Sequence, residues 1–127
     1  LETAQDYVAT RKQFGKALGE FQNTQFKLAD MATDLEAARL LTYRAAWKKV
    51  KGEPYTLEAS LAKLFASEAA NRVAYRAIQV HGGYGFFEEY EVARLYRDAR
   101  ILTLYEGTSE VQKLIIGAHL TGVRAFA

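Results

Sequence analysis

The chain has 127 residues, half of them hydrophobic and a quarter charged, enough for a single domain with one ordinary core. Lysine and arginine number 17 against 15 acidic residues, and a net charge of +2 argues against nucleic acid as a partner, because phosphate binding needs a concentrated basic face. Cysteine is absent, which excludes disulfides, thiolate metal sites and cysteine nucleophiles, and no apolar run approaches the roughly 18 residues that a membrane span needs.

The first residues, LETAQDYVATRKQFGK, read as helix from Leu1 and carry neither the apolar block of a signal peptide nor the acid-free composition of a transit peptide. No capping residue stands ahead of Leu1, so the sequence is expected to begin inside a longer chain. Gly15 and Gly19 close this helix, which would place Arg11, Lys12 and Lys16 at its C-terminal end. From Phe21 to about Lys51, Leu28, Met31, Leu35, Ala38, Thr42 and Ala45 recur at the three-and-four spacing of one buried face, with Asp30, Asp34, Arg44 and Lys48 opposite. Gly52 and Pro54 end that helix, and a third runs from Pro54 through Leu57, Leu61, Leu64, Phe65 and Val73 to Ile78. Its many alanines permit close helix contacts. Gly82, Gly83 and Gly85 close it, a shorter helical turn covers Glu91 to Arg97, and a fourth helix opens at Ser109, where Ser109 and Gln112 form a potential capping box. No segment alternates strongly enough to predict a strand. The expected fold is all-α, an antiparallel up-down four-helix bundle with short connecting turns, occupying 1–127 as one domain.

The glycine-rich stretch Gly83-Tyr84-Gly85 lacks the third glycine and the preceding strand of a dinucleotide-binding fold. A helix cap and a turn explain one or two of its glycines; three within four residues point in addition to a group that approaches the backbone closely. A carboxylate-bridged metal centre in a bundle would need Glu-x-x-His pairs, and neither His81 nor His119 has a glutamate three residues earlier, so no metal is expected. His119 and His81 read as cap or surface residues. The run Arg11-Lys12-Gln13-Phe14-Gly15-Lys16 either complements a helix dipole or supplies an arginine fork and an aromatic face to a pyrophosphate. In Leu104-Tyr105-Glu106-Gly107-Thr108-Ser109-Glu110, Glu106 is either a loop acid near a positive helix end or a partly desolvated proton acceptor, and the amides of residues 108–110 could take an anionic or carbonyl-rich ligand.

In order and spacing these motifs, with Phe21-Gln22, Ala45-Ala46-Trp47, Ala62-Lys63, Gln79-Val80-His81-Gly82-Gly83 and Tyr96-Arg97-Asp98-Ala99, resemble the C-terminal helical domain of the acyl-CoA dehydrogenases from Asp6 to about Leu120. The resemblance implies an FAD enzyme that oxidises the bond between carbons alpha and beta of an acyl-CoA thioester and passes electrons to an electron-transferring flavoprotein. It implies Glu106 as the base that takes the alpha proton, with Tyr105 and Gly107 beside the substrate and Gly107 leaving it room. It further implies that Arg11, Gln13, Phe14 and Gln22 meet the FAD of a neighbouring subunit, and that Gln79, Val80, His81, Gly82 and Gly83 line that flavin's adenosine end. Thr108, Ser109 and Glu110 would contact the FAD of their own subunit, making the protein a homo-oligomer, dimer or tetramer.

The family's N-terminal helical domain and central β-barrel have no counterpart in this sequence, so the chain alone is expected to be an inactive part of the enzyme. An acyl-CoA oxidase is the nearest alternative within enzymes, and a stand-alone oligomerisation or binding bundle the alternative outside them. The lack of cysteine fits a bacterial cytoplasm and a mitochondrial matrix equally.

Overall fold

The computed structural model describes residues 1–125. Among these residues five α-helices carry the fold: α1 (Glu2–Thr10), α2 (Gln22–Val50), α3 (Thr56–His81), α4 (Glu91–Arg100) and α5 (Ser109–Thr121). The all-α expectation holds, but the architecture is organised around one helix: α3 packs against α1, α2, α4 and α5. The segment expected as a short helical turn is α4, a full element that seals Val92 and Ala99 against the rest. No helix among the described residues is long and apolar enough to cross a membrane.

Two local expectations are corrected. Helix α1 ends at Thr10, not at the glycines, and Arg11 is already extended, at φ −71° and ψ 127°. Beyond it lies a small hairpin, β1 (Lys12–Gln13) and β2 (Lys16–Ala17), with Lys12 opposite Ala17 and Gln13 opposite Lys16. Phe14 and Gly15, at φ 53° and 81°, form its two-residue turn, because positive φ at both central positions matches the twist of paired strands. Two-residue strands are too short to show alternation, which is why the sequence pattern missed them. At the other end of the chain, α5 is capped by Thr108, whose Oγ1 accepts from the Val111 amide at 3.3 Å. The Ser109–Gln112 capping box does not form, since both side chains are turned to other partners.

Helices α2 and α3 run antiparallel, and their ion pairs record the register. Lys48 meets Glu58 at 2.7 Å, Arg72 meets Asp34 at 2.8 Å, and Arg76 bridges Asp34 at 2.8 Å and Asp30 at 3.3 Å. The acids and bases read from sequence as the solvated face of α2 therefore flank its contact with α3. Only Met31 and Ala45 of α2 are buried, because α2, about 44 Å long, touches α3 along one side and leaves the rest uncovered. The apolar cluster gathers where α1, the start of α2, the end of α3 and α4 meet: Ala4, Val8, Met31, Ala77, Val80 and Val92.

Hydrogen bonding from Arg72, reinforced by its charge and by Arg76, holds the Asp34 carboxyl below its ordinary value against the opposing effect of burial. A depressed folded-state pKa contributes stability that is complete above the unfolded value of about 3.9 and is lost as pH falls through the folded one. Asp34→Asn is expected to lower unfolding stability by about 1–2 kcal/mol near pH 7. Urea titrations should show that gap closing below about pH 4; a gap independent of pH would contradict the assignment.

Candidate functional site

The end of α3 builds a cleft. The helix stops where Gly82 takes φ 61°, and the chain continues through a 3-10 turn, Gly82–Phe86. His81, the last residue of α3, is 4% exposed: Tyr7 of α1 stacks on it at 4.0 Å between ring centroids, and Tyr90 meets it edge-on. Its Nδ1 lies 2.8 Å from the Ala77 carbonyl, which can only accept, so Nδ1 carries a proton there. The expectation of a cap or surface histidine is corrected: His81 locks α1 onto the C-terminus of α3, and the Tyr7 hydroxyl donates to its carbonyl at 3.3 Å. Burial raises the pKa of that hydroxyl.

This lock brings together residues far apart in sequence. Tyr7, Arg11, Gln13 and Leu18 on one side and Gln79, Val80, His81, Gly82, Gly83, Tyr84 and Phe87 on the other enclose a cleft of about 660 Å³. The Arg11 guanidinium sits 5.0 Å over the Tyr84 ring, a stacking that keeps its charge at the cleft instead of in bulk water. Of the other expected cofactor residues, Phe14 stands 92% exposed at the hairpin tip, edge-on to Phe21, and Gln22 is exposed in the first turn of α2; neither lines the cleft. The glycines separate by cause. A Cβ on Gly85 would lie 2.7 Å from the Ile78 carbonyl, so the close neighbour there is the chain's own helix. Gly83 has neither positive φ nor any atom within 4 Å of that direction, so nothing in the described fold requires glycine at that position.

The second group surrounds the turn at 106–107. Glu106 and Gly107 both have positive φ, 54° and 91°, and Glu106 is exposed, so this chain's own residues do not supply the desolvation suggested by its sequence neighbours. Nor is the space beside Gly107 free: a Cβ there would lie 2.6 Å from Gln112 Nε2. Three side chains to which sequence reasoning gave no such role support the turn. Lys63 Nζ donates to the Gly107 carbonyl at 2.6 Å, Gln112 Nε2 to the same carbonyl at 3.3 Å, and Glu68 Oε1 accepts from Ser109 Oγ at 2.7 Å. The available signal was Lys63 itself, a single cation in the alanine- and leucine-rich stretch between Glu58 and Glu68. Just beyond, the Glu110 carboxyl is held below its ordinary value by its own backbone amide and then by the Thr108 hydroxyl. Tyr105 lines an apolar cleft of about 770 Å³ walled by α2, α3 and α4.

The two groups do not merge. Glu68 and Gln79, one in each group, are both on α3 and stand about 16 Å apart along its axis. What the fold and site define is a helical domain with two separate candidate contact regions, one at a helix C-terminus and one at a helix N-terminus. Residues 1–121 match the model of the acyl-CoA dehydrogenase C-terminal domain, and the chain belongs to that family. It is 51% identical over 120 residues to the caffeyl-CoA reductase-Etf complex subunit CarC of Acetobacterium woodii, covering 94% of this chain and 32% of that protein. Against the mitochondrial short-chain specific acyl-CoA dehydrogenase of Mus musculus the identity is 53%, covering 94% and 29%. The solved structure of butyryl-CoA dehydrogenase from Megasphaera elsdenii superposes with a TM-score of 0.92 at 52% identity, covering 94% of this chain and 31% of that one. The chain thus spans about a third of the length of these relatives.

Glycine is demanded differently at two positive-φ positions, and this can be measured. Gly15→Ala meets open space and carries only the backbone cost, about 1 kcal/mol. Gly107→Ala must in addition displace Gln112, so denaturant unfolding should show the larger loss, about 2–3 kcal/mol; equal losses would mean that Gln112 yields freely.

Proposed function

We propose that this chain forms the C-terminal part of an FAD-dependent acyl-CoA dehydrogenase, with Glu106 as the base that removes the alpha proton of an acyl-CoA thioester. The observation that carries the reading is the position of Glu106: an exposed carboxylate, held at positive φ by a supported turn, in a member of this family. Breaking the alpha C–H bond transfers a proton to the Glu106 carboxylate, and the bond's acidity rises when hydrogen bonds polarise the thioester carbonyl. FAD, when bound, supplies the acceptor for the hydride that leaves the beta carbon as the double bond forms. Tyr105 and Gly107 flank the base on the side proposed for substrate.

The residues fit the cofactor in chemistry. Arg11 presents a fixed guanidinium suited to a pyrophosphate, and Gln13 and Gln79 offer amides to polar edges of the same molecule. Gly83 allows a flat group to lie against the backbone, a need that the protein's own packing does not create. Val80, His81 and Gly82 complete that wall, while Phe14 and Gln22 lie outside the cleft and are proposed as cofactor contacts from the family resemblance alone. Thr108, Ser109 and Glu110 form the second contact, at the N-terminus of α5, where the helix dipole favours an electron-rich partner. That the two contact regions meet different flavins, and hence that the protein is a homo-oligomer, is proposed from the family resemblance. An electron-transferring flavoprotein is the proposed electron acceptor, in line with the name of the Acetobacterium woodii relative as a subunit of an Etf complex.

The surface supports assembly. The accessible area is 8580 Å², against about 6,800 Å² for a compact folded monomer of this size. Trp47 is 56% exposed, Val50 86% and Phe86 84%, so large apolar groups are left for other domains or subunits. The isolated chain is therefore expected to self-associate, and light scattering that returns a monomer across a broad concentration range would contradict this. In the full-length protein, Glu106→Gln should retain FAD and lose flavin bleaching by butyryl-CoA, on the order of a thousandfold or more in rate. Undiminished bleaching, followed by stopped-flow absorbance, would remove Glu106 from the role of base.

A further inference from the structure

We infer that Lys63 and Gln112 are positioning residues for the turn at 106–107: they hold its carbonyls from the bundle side and thereby set where the Glu106 carboxylate stands. The inference rests on the reading of Glu106 as the base and adds to it the groups that act through that residue.

The turn is one that the chain disfavours on its own. Glu106 is an L residue at φ 54°, a conformation that costs about 1–2 kcal/mol, and no paired strands flank it, as they do Phe14, to favour the turn it makes with Gly107 at φ 91°. Here the contacts converge on two oxygens. The Gly107 carbonyl receives Lys63 Nζ at 2.6 Å and Gln112 Nε2 at 3.3 Å, while the Glu106 carbonyl lies 3.5 Å from the same Gln112 nitrogen. Both donors stand on helices, Lys63 on α3 and Gln112 on α5, and Gln112 is 7% exposed, so neither support swings freely with the loop. The next residue but one, Ser109, is tied to Glu68 of α3 at 2.7 Å.

In a trans peptide the carbonyl of one residue and the amide of the next point in opposite directions. Holding the carbonyls of Glu106 and Gly107 toward Lys63 and Gln112 therefore turns the amides of Gly107 and Thr108 away from them. It also fixes the peptide plane that follows Glu106, and with it the direction in which the Glu106 Cβ leaves the backbone. A carbonyl that needed only a partner could take one from water; a lysine set among alanines and leucines supplies a charge-assisted bond anchored to the helix that organises the domain. A base displaced by about 1 Å from its proton loses on the order of a hundredfold in rate without any change in its own chemistry.

The test uses the full-length, FAD-loaded protein with Lys63→Met, Lys63→Arg, Gln112→Leu and, in parallel, Glu106→Gln. Stopped-flow bleaching by butyryl-CoA gives the rate at saturation and the half-saturating concentration; hydrogen–deuterium exchange of the peptide covering 105–109 reports the turn without any turnover. Lys63→Met and Gln112→Leu are expected to slow saturated bleaching by roughly tenfold to a hundredfold. Half-saturation should stay within about twofold, exchange at 105–109 should rise, and Lys63→Arg should recover most of the rate. Saturated bleaching at the normal rate in Lys63→Met overturns the inference, and so does a loss that appears only in half-saturation. If Lys63→Met does not take up FAD, Gln112→Leu decides by the same two measurements. A dead Glu106→Gln beside an unaffected Lys63→Met removes the positioning role alone, whereas normal bleaching in Glu106→Gln removes the base and, with it, the residues said to act through it.

Discussion

Every other helix of this domain needs a place on α3, and the size of the side chains along α3 is what makes that possible. Ala62, Ala69 and Ala77 are buried on it, spaced so that they follow one another down a face, with Ser60 and Ser67 buried beside them. Small residues let neighbouring backbones approach closely, so α3 can serve four partners where a leucine-rich helix would hold them further apart. The charged residues are displaced to the margins of the α2 contact, where Glu58, Arg72 and Arg76 find the acids and bases of α2. Burial beside Lys48 and Arg44 suits Glu58 because Lys48 hydrogen-bonds its carboxyl and holds its pKa below the ordinary value.

The same helix positions both candidate regions. Its C-terminus, fixed by the His81–Tyr7 stack, places Gln79 to Gly83 across from Arg11 and Gln13. Its earlier turns offer Lys63 and Glu68 to the segment that leads into α5. A rigid rod with contacts at separated levels keeps the two regions at a constant spacing. The strained turn at 106–107 is held by Lys63 of α3 and by Gln112, which is buried on α5.

Much of this was legible in the sequence, and the reasons for what was not are specific. Helices α2 and α3 announced themselves through periodicity and through the glycines and proline that bound them, because their patterns are long enough to average out local exceptions. The hairpin at 12–17 was invisible, since two residues per strand carry no period, and Phe14 at positive φ is a choice made by the turn. Periodicity placed Asp34 opposite the apolar stripe of α2 and could not tell that α3 would bring two arginines to that flank. In the site, the identities of Arg11, Gln79 and Glu106 stood out by motif, whereas Lys63, quoted in a motif without a role, and Gln112, expected in a capping box, acquired their part in the turn only from what they touch.

By itself, the sequence determined the helical class, the positions of the main breaks and the chemical character of the candidate residues, because these follow from local periodicity, from glycine and proline, and from side-chain functional groups. Tertiary structure decided which residues meet: the closing of Arg11 and Gln13 against Gln79 to Gly83, the burial of His81, the partnership of Asp34 with Arg72 and Arg76, and the support beneath Glu106. Those depend on contacts between positions 38 to 74 residues apart, set by how helices pack against α3, and no window along the chain contains that information.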